Sequence, residues 1–94
     1  MVTPTHYTVE LSLPRAGWAD VQEAAARART ASEQMWREGE RVRFLRSIFV
    51  PEDDTFFLLY EGPSAQSVRA AAARANLGVM RVESALRLDE EEMS

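Results

Sequence analysis

The stretch RVRFLRSIFVPEDDTFFLLYE, residues 41–61, decides the fold of this chain. It holds all four phenylalanines of the protein, in two runs rich in Phe, Ile, Leu and Val. The polar break PEDD, residues 51–54, separates the two runs. This arrangement is typical of two antiparallel strands joined by a short connection.

Pairing of Val50 with Thr55 across the break sets the register that we predict for this hairpin. One face then carries Leu45, Ser47, Phe49, Phe56, Leu58 and Tyr60, and the other carries Phe44, Arg46, Ile48, Phe57, Leu59 and Glu61. Both faces are largely apolar, whereas a sheet covered on one side only is normally polar on its other side. We therefore expect both faces of the hairpin to be covered in the folded protein.

The flanking segments complete an α+β pattern. Residues 5–13 and 80–88 alternate between apolar and polar side chains, which predicts two more strands. Residues 18–39 and 64–77 follow helical spacing, with Ser64 as the N-cap of the second helix. The order βαββαβ is the split βαβ, ferredoxin-like pattern. It predicts a four-stranded antiparallel sheet whose first and third strands are central, with both helices on one face.

Length and composition narrow the possible functions. The 94 residues are enough for one domain, which we place at residues 1–88, and the acidic residues 89–94 are expected to form a disordered tail. The chain has no cysteine, which excludes disulfides and thiolate metal sites. Its net charge of −4 argues against nucleic acid. Its apolar stretches are too short to span a membrane, and its N-terminus lacks the features of a signal peptide. These observations predict a cytoplasmic protein with neither nucleic-acid nor membrane partners.

A few side chains on the uncovered sheet face could carry chemistry. His6 is the only histidine, and it is either a surface residue or a general base. Arg46 lies between Glu10 and Glu61 on that face, as a structural ion network or as a polar anchor for a ligand. The candidate ligand-binding residues are Glu10, Arg46, Glu61, Phe44, Phe57 and His6. The sequence assigns no catalytic residue, and it predicts no cofactor and no metal site.

The hairpin also resembles a bacterial family of small ferredoxin-like proteins without assigned function, which includes a protein described as nickel-binding. The resemblance rests on Arg46-Ser47, Val50-Pro51-Glu52-Asp53, Glu61 and Pro63-Ser64-Ala65, with Tyr7, Val9 and Glu10 in the first strand. It covers roughly residues 7–87 and implies a ferredoxin-like fold and a dimer joined through the sheets, like a dimeric α/β barrel. The nickel-binding relative has histidines near the positions of Ala72 and Leu77, so the resemblance does not imply nickel binding here.

Two functions remain open. The first is a small ligand-binding or accessory protein that forms a homodimer through its uncovered sheet face. The second is a cofactor-free enzyme of the dimeric α/β-barrel type, a monooxygenase or isomerase acting on a small organic substrate. An enzyme should hold a titratable residue at the floor of a closed cavity, whereas an association module should fill that space with side chains.

Overall fold

A computed structural model describes residues 5–12 and 17–85 of the chain. Its elements are β1 (Thr5–Ser12), α1 (Trp18–Arg37), β2 (Arg43–Val50), a short 3-10 turn (Pro51–Asp53), β3 (Thr55–Gly62), α2 (Ala65–Arg74) and β4 (Val79–Ala85). The four strands form one antiparallel sheet in the order β2-β3-β1-β4. Both the predicted ferredoxin-like pattern and the central position of the first and third strands are confirmed. The predicted acidic tail at residues 89–94 lies outside the described residues.

The core lies between the sheet and the two helices, and β3 supplies its two largest completely buried side chains, Tyr60 and Phe56. Phe56, Leu58 and Tyr60 alternate along this strand and are completely buried. The helices face them largely with alanines, among them Ala28 and Ala72, whose small side chains let the helices approach the sheet closely. Burial of aromatic and aliphatic side chains is the main stabilising term of such a domain.

Tyr60 is the exception to this apolar core. Its hydroxyl is buried, and it makes no hydrogen bond with any described residue. The burial raises the pKa of Tyr60 well above the usual value for a tyrosine, since an ionised phenolate would be poorly solvated there. A buried polar group without a partner destabilises the folded state.

The helix ends follow from local sequence. The Ser64 hydroxyl accepts a hydrogen bond from the Ser67 N–H at 3.1 Å, which confirms the predicted N-cap of α2. At the end of α1, Gly39 has a φ of +97°, and the Glu40 N–H donates to the Met35 carbonyl at 2.9 Å. This is the Schellman arrangement, which requires a left-handed residue and therefore favours glycine.

The hairpin register agrees with the prediction only in the half next to the turn. Pairing runs from Val50 with Thr55 down to Arg46 with Leu59, and then shifts between Phe44 and Arg46. Leu45 is the extra residue of this β-bulge.

Because of the bulge, Phe44 pairs with Tyr60 and packs against the core under the helices, with its ring 5.6 Å from the Tyr60 ring. The prediction that Phe44 lies on the uncovered face is therefore wrong. The same shift brings Arg43 opposite Glu61, although the predicted alternation placed these two residues on opposite faces.

Candidate functional site

The side of the sheet opposite the two helices, here called the open face, carries most of the predicted site residues. Cross-strand pairing arranges its side chains in rows that run from β2 through β3 and β1 to β4. The first row is Arg43, Glu61, His6 and Ala85; the middle row is Arg46, Leu59, Thr8 and Glu83; the third row is Ile48, Phe57, Glu10 and Arg81. Five of the six candidate residues, all but Phe44, lie on this face.

Glu61 is the centre of the first row. Its Oε2 is 4.0 Å from Nε2 of His6, and its Oε1 is 3.8 Å from Nη1 of Arg43. The His6 side chain is 16% exposed and that of Glu61 is 29% exposed, so these two are partly shielded even in the single chain, whereas the Arg43 side chain is 59% exposed. This trio brings together side chains of three neighbouring strands at one end of the open face.

Glu10 has a different partner from the one predicted. Its Oε1 is 3.9 Å from Nε of Arg81 on β4, and Nη1 of Arg81 also donates to Glu83 at 3.4 Å. The structure does not assemble the predicted cluster of Glu10, Arg46 and Glu61. Arg46 is exposed opposite Leu59 and makes no ion pair within the described part of the chain.

Three apolar side chains lie next to one another on the β2–β3 half of the open face. Ile48 is 55% exposed, and Phe57 and Leu59 beside it are half-buried. No helix covers them, because both helices pack on the other side of the sheet. The open face therefore combines an apolar strip with charged residues on either side of it.

A second surface, which the sequence reasoning missed, lies where α1 passes over the start of β2. We call it the α1–β2 cleft. It has a volume of about 570 Å³, and the residues that line it include Arg29, Ser32, Trp36, Arg37, Arg43 and Phe44. No local sequence pattern indicates this cleft, because residues 29–37 come to lie beside residues 42–44 only where α1 crosses β2 in the folded chain.

Aromatic rings and guanidinium groups are stacked in this cleft. The Arg29 guanidinium lies 5.4 Å from the Phe44 ring, and that of Arg41 lies 4.9 Å from the Trp36 ring. Ser32 is buried beneath them, where its hydroxyl donates to the Arg29 carbonyl and accepts from the Phe44 N–H. Arg43 is also near Trp36, so it connects the cleft with the first row of the open face.

The described residues do not form a transition-metal site. Within residues 5–12 and 17–85, no three side chains of the His, Cys, Asp and Glu types come together in a way that could hold a metal ion. His6 lies beside Glu61, but the Arg43 guanidinium next to Glu61 opposes a divalent cation there. Ala72 is completely buried and Leu77 packs against the core, so neither position faces a site.

Comparison with known proteins gives the following matches. Residues 7–84 match the family model described as nickel responsive protein SCO4226-like. The crystal structure of SCO4226 from Streptomyces coelicolor A3(2) matches with a TM-score of 0.67 at 20% sequence identity, over 83% of this chain and 91% of that chain. At this identity the structural likeness shows the fold alone. No curated protein gives a significant match. In the described part of the chain, no helix is both long enough and apolar enough to cross a membrane.

Proposed function

Since the chain belongs to the SCO4226-like family of nickel responsive proteins, we propose that it is a small cytoplasmic ligand-binding or accessory protein that forms a homodimer through its open face. The observation that carries this proposal is the apolar strip of Ile48, Phe57 and Leu59 on a sheet face that no helix covers. A contiguous apolar surface of this kind is unusual on a monomer and is typical of an association surface.

A second copy of the chain fits this face in size. Four strands spaced by ~4.8 Å, each about eight residues long at ~3.3 Å per residue, cover roughly 500 Å² in projection. Two such faces bury about 1,000 Å² in total, which is below the ~1,200–2,000 Å² of stable specific contacts and in the range of weak or transient ones. We therefore expect a dimer of micromolar rather than nanomolar affinity.

Charge complementarity selects one orientation of the two sheets. When the two-fold axis runs parallel to the strands, each row faces the same row of the second copy with the strand order reversed. Arg46 on β2 then faces Glu83 on β4 of the second copy, and Glu61 on β3 faces His6 on β1. Leu59 and Phe57 on β3 lie beside the axis, where Leu59 faces Thr8 and Phe57 faces Glu10 of the second copy. In this orientation the exposed Arg46 gains the carboxylate partner that it lacks within its own chain.

The other two-fold orientation is electrostatically poor. When the two-fold axis runs across the strands, each strand faces the same strand of the second copy, and the middle row faces the middle row of the second copy. Arg46 would face Arg46, and Glu83 would face Glu83. Like charges placed opposite each other at an interface are unfavourable.

A charge-reversal experiment tests both the dimer and its orientation. Arg46→Glu and Glu83→Arg should each weaken the dimer, because each places like charges opposite each other at two symmetric positions. At ~1 kcal/mol for each partly exposed pair, the dissociation constant should rise about 30-fold or more. The double variant should recover most of the affinity. Sedimentation velocity over a range of micromolar concentrations measures all four proteins.

Arg69→Glu is the matched control, because Arg69 is an exposed arginine on α2, on the other side of the sheet. It should leave the dissociation constant within about twofold of the wild-type value, since its charge lies outside the contact. A wild-type chain that is monomeric at tens of micromolar contradicts the dimer. Single variants that weaken the dimer without recovery in the double variant would contradict the orientation alone.

The ligand-binding role is assigned to the space between the two open faces. His6, Glu10, Arg46, Phe57 and Glu61 would line it, which offers both charged anchors and apolar surface. The described residues do not favour the enzyme alternative. His6 lies beside Glu61 in the space that both alternatives require, so its position does not distinguish between them.

A further inference from the structure

The α1–β2 cleft has a charge opposite to that of the protein as a whole. Its lining residues include three arginines, Arg29, Arg37 and Arg43, and one carboxylate, that of Glu33; Arg43 is also 3.8 Å from Glu61 on the open face. Arg41 adds a further guanidinium above Trp36. The chain has a net charge of −4, so this accumulation of positive charge is local.

Glu38 and Glu40, which follow the cleft residue Arg37 in the chain, are engaged elsewhere. Glu38 accepts two hydrogen bonds from the Arg74 guanidinium, at 2.7 and 2.9 Å, and these bonds hold the pKa of Glu38 below its usual value. Glu40 accepts a hydrogen bond from the Ser67 hydroxyl at 3.4 Å. Neither carboxylate forms an ion pair with Arg29, Arg37 or Arg41 in the described part of the chain.

The stacking contacts prepare the arginines for an anion. A guanidinium that lies over an aromatic ring uses its face for the ring and keeps its N–H donors free at its edge. Those donors bind carboxylate oxygens strongly and with defined geometry. The rings of Phe44 and Trp36 provide apolar contact next to them.

From this arrangement we infer that the α1–β2 cleft binds a small organic acid, with its carboxylate on Arg29, with Arg37 as a further positive charge of the lining, and with its apolar body against Phe44 and Trp36. The cavity volume of about 570 Å³ is in the usual range for small-molecule sites, ~300–1,000 Å³. The cleft is formed between α1 and β2, and of its lining residues only Arg43 also belongs to the open face.

Trp36 serves as a built-in reporter of binding. The chain has two tryptophans, and Trp18 is 72% exposed at the start of α1. In a Trp18→Phe background, fluorescence therefore reports on Trp36 alone. Sodium benzoate is the probe, and benzamide is its uncharged counterpart of nearly the same shape. We expect a saturable fluorescence change with benzoate. The affinity for benzamide should be lower by about tenfold or more, because the charge-assisted hydrogen bond is lost.

Variants of the exposed arginines locate the site. Arg29→Gln combined with Arg37→Gln should lower benzoate affinity about tenfold or more, while Arg69→Gln on α2 should change it less than twofold. The inference is overturned if the fluorescence change is linear and does not saturate. Equal binding of benzamide and benzoate would also overturn it, as would unchanged benzoate binding in the double variant.

Discussion

Replacement of Tyr60 by phenylalanine is expected to stabilise the protein. The Tyr60 side chain is completely buried, and its hydroxyl has no hydrogen-bond partner among the described residues. In the unfolded chain that hydroxyl is hydrated, so folding removes its hydrogen bonds to water without replacing them. An unsatisfied buried group of this kind costs ~1–3 kcal/mol. Phenylalanine keeps the ring and its edge contact with Phe44 but removes the stranded group.

We expect Tyr60→Phe to raise the free energy of unfolding by about 1 kcal/mol or more. For a domain of this size, that corresponds to a rise of ~4–8 °C in the melting temperature per kcal/mol. Urea denaturation at one fixed protein concentration measures it, because a dimer makes apparent stability depend on concentration.

Tyr7→Phe is the matched control, since Tyr7 pairs with Tyr60 across β1 and β3 but is only half-buried. Its effect should stay within about 0.5 kcal/mol. If Tyr60→Phe instead lowers the free energy of unfolding by more than about 0.5 kcal/mol, the hydroxyl has a hydrogen-bond partner in solution, and our reasoning on Tyr60 is refuted.

Alkaline pH provides a second readout of the same residue. Burial raises the pKa of Tyr60 in the folded state, whereas an unfolded tyrosine titrates near pH ~10. The free energy of unfolding is therefore unaffected by Tyr60 ionisation below pH ~10. It falls as the pH rises further, because only the unfolded state releases the proton there. The slope contributed by one such group is ~1.4 kcal/mol per pH unit, and it should be absent in Tyr60→Phe.

Two further predictions concern α2 and metal binding. Ser64→Ala removes the N-cap of α2 and should lower the free energy of unfolding by ~1 kcal/mol. The control Ser84→Ala, at an exposed position of β4, should change it little. Equal urea midpoints for the two variants would contradict the capping role. Calorimetric titration of the untagged protein with nickel should reveal no site tighter than ~1 µM, since the described residues offer one histidine beside an arginine-paired carboxylate. A stoichiometric, tighter site that persists in His6→Ala would show that the ligand argument is wrong.

The hairpin shows both how far the sequence predicts this fold and where the prediction stops. The register is correct from Val50 to Arg46 because the polar break fixes it at the turn. It then fails because Phe44 and Leu45 are both apolar. Either of them can face the core, so alternation alone does not locate an inserted residue.

The charged partners on the open face could be predicted only in part. Alternation placed Glu10 and Glu61 correctly on this face, because β1 and β3 pair without interruption. The partner of Glu10 is Arg81, which comes from β4 at the far end of the chain, and a register shift in the pairing of β1 with β4 follows directly after this pair. Period-two alternation predicts the face on which a residue lies, but not which residue of a distant strand lies beside it.

The bulge at Leu45 also affects how β2 meets other chains. β2 is an edge strand, and a long regular edge with apolar side chains such as Ile48 is a template on which a foreign strand can form backbone hydrogen bonds. A bulge breaks the regular spacing of the free N–H and C=O groups and increases the local twist. Only the shorter segment from Arg46 to Val50 keeps an uninterrupted ladder. The residue that turns Phe44 into the core thus also protects the edge of the sheet against strand addition and growth into fibres.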